Sequence, residues 1–131
     1  MRYLLDTDTC IYVINVRPPA VLDRFLAHEN DGIGVSAVTV GELYFGVRKS
    51  VSRRNLLALE KFLAPLEVAV YGQAAAIAYG ELRATLAKKG TPIGPLDTQI
   101  AAHALALGVT LVSNNVREFK RVPKLRLENW V

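Results

Sequence analysis

Asp6, Glu42, Asp97 and the polar run Ser113-Asn114-Asn115 are the residues of this chain whose type and placement could do chemistry. Asp6 ends the apolar run Tyr3-Leu4-Leu5. Asn114 and Asn115 follow a second apolar run, Val109 to Val112. Asp97 stands near the start of a helical stretch, and Glu42 about two turns into another. Carboxylates gathered at one place repel each other unless a cation neutralises them. Hard oxygen donors of this kind suit Mg²⁺ or Mn²⁺. Other chemistries lack their parts. His28 and His103 have no metal-ligand spacing, and His103 is assigned to its helix surface. Cys10 is expected to be a small buried residue, not a nucleophile. No Walker A loop or dinucleotide fingerprint is present. Each acid also has an ordinary structural role open to it. Asp6 or Asp8 could cap the helix that follows, and Asp97 could complement a helix dipole. Glu42 could be a plain exposed residue, although it sits in the largely apolar Val40-Gly41-Glu42-Leu43, where Gly41 would permit close backbone approach.

Short strand-like runs alternate with longer helical patterns. Strands are expected at residues 3–5, 32–35, 67–70 and 109–112, with a weak fifth at 125–127. Helices are expected over 7–15, from Pro18-Pro19, from an N-cap at Ser36 to about Val47, and over 53–63, 73–89 and 96–107, with Gly90 and Gly108 as C-terminal punctuation. Strands separated by helices imply an α/β fold with a mostly parallel central sheet flanked by helices. In such sheets, sites collect beyond the carboxyl ends of the strands. That rule would bring the distant acids to one sheet edge.

The 131 residues suit one domain, 1–131, with 51% hydrophobic and 21% charged residues, an ordinary globular balance. A lone cysteine and the lack of a signal-peptide stretch or membrane span lead us to expect a soluble, cytoplasmic protein. The net charge of +4 favours a polyanionic partner. Arg48, Lys49, Arg53 and Arg54 form one basic cluster; Arg117, Lys120, Arg121, Lys124 and Arg126 form another. Such clusters are ordinarily solvated surface, but two of them beside an acidic site point to nucleic acid.

Four segments in order resemble the motifs of PIN domains: Leu5-Asp6-Thr7-Asp8, Ser36 to Leu43, Pro92 to Ala104 and Leu111 to Phe119. The ending Leu125-Arg126-Leu127-Glu128-Asn129-Trp130 is similar to that of VapC-type toxins of type II toxin–antitoxin systems. The resemblance implies a PIN-like three-layer fold and metal-dependent endoribonuclease activity with Mg²⁺ or Mn²⁺. Asp6, Glu42 and Asp97 match the family's acidic catalytic positions. It further implies inhibition by a VapB-type antitoxin, and many members form homodimers. Some members with this Asn-Asn pattern act on transfer RNA. Where many PIN domains carry a fourth acid, this chain has Asn115, which can coordinate through its carbonyl oxygen but adds no charge. Asp8 is acidic where relatives often have Asn.

The implied chemistry is metal-assisted phosphodiester hydrolysis. Asp6 and Asp97 would hold a metal, Glu42 directly or through water, and a carboxylate such as Glu42 could orient the attacking water. Asp8, Ser113 and Asn115 are accessory candidates, and Arg48, Lys49, Arg53, Arg54 and Arg117 are candidates for RNA binding. Two rivals remain. Asp6-Thr7-Asp8 also resembles the nucleophile motif of haloacid-dehalogenase-like phosphatases, which need a placed Lys and a downstream acidic pair. A non-catalytic nucleic-acid-binding module would explain the charge but not four ordered acidic motifs.

Overall fold

Period-two alternation in the short strands sets the architecture, because successive side chains of a strand face opposite ways. Tyr3 and Leu5 enter one hydrophobic core and Leu4 enters another; Val112 and Leu111 divide likewise. The central strands are therefore buried on both faces, and helices supply both coverings. The structure, a computed structural model, describes all residues 1–131. Its strands are β1 (Tyr3–Leu5), β2 (Ile33–Ser36), β3 (Glu67–Ala69), β4 (Thr110–Val112) and β5 (Leu127–Glu128). Its helices are α1 (Thr7–Asn15), α2 (Pro19–His28), α3 (Ala37–Ser50), α4 (Arg53–Leu63), α5 (Gln73–Lys88), α6 (Pro95–Leu107) and α7 (Val116–Phe119).

The sheet order is β3-β2-β1-β4-β5, every pairing parallel. Helices α1 to α4 contribute Cys10, Val13, Val21, Leu43 and Leu59 to the core on one face. Helices α5 and α6 contribute Leu82, Leu86, Ile100, Ala101, Ala102 and Ala104 to the other. The small residues of α6 permit its close approach to α5 and to the sheet. The expected three-layer α/β fold is thus present, with the sheet wholly parallel. Most boundaries differ from expectation by one or two residues. Helix α3 runs three residues beyond Val47, and α7, too short for a periodic signal, was not anticipated.

Two local expectations are corrected. Gly41 stands open, with no atom within 4 Å of the place a Cβ would take, so no close backbone approach occurs there. His103 is not on the helix surface: it is 1% exposed, with Nδ1 2.8 Å from Ser36 Oγ and its ring edge-on to Tyr71. Burial holds its imidazole below the ordinary value, partly offset by a bond to the Val70 backbone. A run of Ala around a polar residue reads equally well as a helix surface or a small-residue packing face, and only the sheet below α6 decides.

Candidate active site

Strand order reverses around β1, since β2 and β3 lie to one side of it and β4 to the other. Such a switch point opens a crevice at the carboxyl ends of the strands. The register pairs Leu5 with both Val35 and Val112, so Asp6, Ser36 and Ser113 are the next residues along three neighbouring strands. Asp6 is the N-cap of α1: its Oδ1 accepts from the Thr7 N–H at 2.8 Å. Its Oδ2 accepts from Ser113 Oγ at 2.8 Å, and Ser113 Oγ accepts from the Asn115 N–H at 2.9 Å. One oxygen of Asp6 is thereby tied to the start of α1 and the other to the residue that follows β4.

The remaining acids arrive on helices. Asp97 is the third residue of α6, and Glu42 is the sixth of α3. Together with Asp6, Thr7, Asp8, Asn114 and Asn115 they line one cleft of about 500 Å³, in which Ile11 is the one hydrophobic lining residue. Thr7 Oγ1 donates to Glu42 Oε1 at 2.9 Å, and Asn115 Nδ2 donates to Asp97 Oδ2 at 3.2 Å. Asp8 accepts from the Asn114 N–H at 3.3 Å, tying α1 to the loop after β4. Asp6 therefore does take the capping role open to it, and Asp8 does not.

The electrostatics are those of crowded, unneutralised acids. Burial, then the Asp8 charge, raises Asp6 from the ordinary carboxylate range to about 7. Burial, then Glu118 and Glu42, raises Asp97 to about 6. Burial also raises Asp8. Neither ion pair of the protein, Arg24–Glu128 or His28–Asp31, involves these acids. The donors are all hard oxygens and their charge has no protein counter-ion, which fits a divalent cation. They ring an open cleft and do not close as three ligands around one point.

Every acid singled out in the sequence reaches this cleft, and Ser113 lies buried directly beneath it. The basic residues divide. Arg54 lines a groove that abuts the cleft and shares Ile11 and Glu42 with it. Arg48 and Arg53 line a separate depression with Val51 and Ser52. Lys49 and Arg117 are exposed. Sequence reasoning missed two residues. Glu118 lies behind Asp97, its Oε2 3.5 Å from the same Asn115 amide, and supplies an acid near the position where Asn115 lacks one. Its spacing of three from Asn115 was the available signal, and it requires the unanticipated α7. Thr7, whose backbone and hydroxyl serve different acids, stood inside the first motif without a role.

A family model described as PIN domain matches residues 3–125. The chain is 44% identical over 131 residues to the tRNA(fMet)-specific endonuclease VapC of Salmonella typhimurium, covering 99% of this chain and 98% of that protein. It is 47% identical over 133 residues to Ribonuclease VapC2 of Haemophilus influenzae, covering 100% and 99%. Among solved structures it superimposes on DNA-bound VapBC from Salmonella typhimurium with a TM-score of 0.94 at 43% identity, covering 100% of this chain and 99% of that one. VapBC2 from Rickettsia felis, bound to a promoter DNA fragment, gives a TM-score of 0.92 at 40% identity, with complete coverage of both chains.

Proposed function

The chain belongs to the VapC ribonucleases of the PIN domain family, and on that footing we propose that it is an endoribonuclease toxin that hydrolyses RNA phosphodiester bonds with a bound Mg²⁺ or Mn²⁺. The observation that supports this most directly is one cleft lined by Asp6, Asp8, Glu42 and Asp97, none with a cationic partner in the protein. Asp6 and Asp97 would hold the cation, with Glu42 contributing from α3 directly or through water. When bound, the cation stabilises charge on the phosphoryl group and makes a water molecule more acidic. Ser113 and Thr7 fix the two oxygens of Asp6, so that ligand needs little reorganisation. Asn115 steadies Asp97. The phosphatase alternative would need a lysine at the cleft, and the lining contains none.

Transfer RNA is the substrate class we assign, following the name of the Salmonella relative. Arg48, Lys49, Arg53, Arg54 and Arg117 would meet its phosphates. A small VapB-type antitoxin is the partner, as in the VapBC complexes this chain superimposes on. A groove of about 660 Å³ between α1, α3 and α4, floored by Leu43 and Leu59, suits an amphipathic helix of that partner. A basic side chain following that helix would reach Glu42 and the cleft, displacing the cation. We place the protein in the cytoplasm as a homodimer; no helix is long and apolar enough to cross a membrane.

Mapping RNA ends after brief induced expression tests the activity. Cleavage at a small set of sites, absent with Asp6→Asn and abolished in vitro by chelation, is expected. Equal cleavage by the Asp6→Asn protein, or full activity in excess chelator, would remove the metal site. Co-expression with the adjacent small open reading frame should restore growth and give a co-purifying complex. A saturated complex that still cleaves RNA would end the regulatory part of the proposal.

A further inference from the structure

Thr7 is the one residue that touches two of the three cleft acids on which the proposed metal site rests. Its backbone N–H donates to Asp6 Oδ1 at 2.8 Å, while its hydroxyl donates to Glu42 Oε1 at 2.9 Å, bridging 35 residues of sequence. Glu42 takes no other hydrogen bond and no ion pair within the protein. A glutamate on a half-buried helix face has three rotatable bonds and would otherwise sample several rotamers. The contrast with its partners is plain. Asp6 is anchored at both oxygens and Asp97 by the Asn115 amide, whereas Glu42 depends on a single hydroxyl from the first turn of α1.

We infer that Thr7 is a positioning residue for the metal site: its hydroxyl holds Glu42 facing the cleft at a set distance from Asp6, leaving Glu42 Oε2 free to complete the oxygen shell. This rests on the metal-site assignment made above. The Thr7 hydroxyl spends its hydrogen bond on Glu42 Oε1 and is not assigned as a ligand. The hydroxyl matters only through Glu42, so its removal should cost nothing once Glu42 can no longer contribute a charge. Partners that orient metal ligands in this way are typically worth about 10–100-fold in metal affinity.

The experiment measures Mn²⁺ binding to the RNA-free protein by the electron paramagnetic resonance signal of free Mn²⁺, for wild type, T7V, T7A, T7S, E42Q and the T7V/E42Q double variant. Melting temperatures of all six control for folding. Val matches the shape of Thr, and Ala serves if the β-branched replacement perturbs the helix start. We expect T7V and T7A to weaken Mn²⁺ binding about tenfold or more, T7S to stay within about threefold of wild type, and T7V to add less than about twofold on E42Q. If E42Q weakens binding and T7V does not, Thr7 has no positioning role and the metal site stands. If T7V weakens binding equally with and without Glu42, or T7S is as weak as T7V, Thr7 does not act through its hydroxyl on Glu42. If E42Q itself leaves binding unchanged, the assignment of Glu42 and the role of Thr7 fall together.

Discussion

The two halves of the cleft are built differently. On the sheet side, Asp6 is 5% exposed, follows a strand with partners on both sides, and has both oxygens tied down by Thr7 and Ser113. On the helix side, Glu42 and Asp97 are half-buried and each takes a single well-formed hydrogen bond. A carboxylate held at both oxygens is preorganised; one carried on a helix by a single hydrogen bond is easier to misplace. Burial raises the acids on both sides, Asp6 to about 7 and Asp97 to about 6. On the proposed reading, a divalent cation in the cleft would have to expel the protons that Asp6 and Asp97 hold.

The largest effect should come from breaking the sheet side. Asp6→Asn is expected to lower kcat by on the order of 10³-fold, about 4 kcal/mol of barrier, with near-native circular dichroism. Asp97→Asn should come close to it, and Glu42→Gln should cost about tenfold less than Asp6→Asn. Comparable losses at Asp6 and Glu42 would erase the distinction between the halves. Single-turnover cleavage at saturating Mn²⁺ measures all three.

The second test uses the protons. Because Asp6 and Asp97 hold theirs to about pH 7 and pH 6, Mn²⁺ affinity should rise at least about tenfold between pH 5.5 and pH 8, with proton release on binding. Calorimetry in buffers of differing ionisation enthalpy would reveal the release; a pH-independent affinity would contradict the raised values.

A third prediction separates binding from chemistry. Replacing Arg48, Lys49, Arg53 and Arg54 together should weaken RNA binding roughly tenfold or more at low salt. Up to about three units should go from the slope of log K against log salt, at about 0.7 per phosphate contact on single strands. The cleavage rate of bound RNA should change little. Since only Arg54 borders the groove beside the cleft, Arg54→Ala should carry the largest single share. An unchanged slope would make these residues ordinary solvated surface.

The smallest effect concerns stability, and its sign is opposite to that of activity. In metal-free protein, Asp6 releases its proton near 3.8 when unfolded but near 7 when folded. The folded state therefore binds more protons between those values, and its stability falls as pH rises from about 4 to 7. Asp6→Asn removes this penalty. It should melt several degrees higher than wild type at pH 8. At pH 4 the two should melt together. A variant less stable than wild type at pH 8 would show that the bonds to Ser113 and Thr7 outweigh the buried charge.

The sequence by itself carried the order and type of the main elements, because short apolar-rich strands and helices bounded by Ser36, Gly90 and Gly108 are written in local periodicity and local backbone preference. It also carried the identities of Asp6, Asp8, Glu42, Asp97 and Asn115, since acids placed just beyond strands, or on the helices beside them, stand out against apolar runs, and the four ordered motifs reinforced them. Other features needed the folded chain. Whether His103 faced solvent or Ser36 depended on which side of α6 met the sheet. Whether Gly41 was approached depended on which side of α3 its neighbours packed against, and Gly41 lies on an open side. Glu118 entered the site through a four-residue helix too short to leave a periodic signal, and Thr7 gained its role only when α3 brought Glu42 across 35 residues to its hydroxyl. Local sequence dictates how a segment folds and which way its polar atoms can reach. What those atoms find there is a long-range matter, settled when the parallel sheet closes and the crossover helices pack on its two faces.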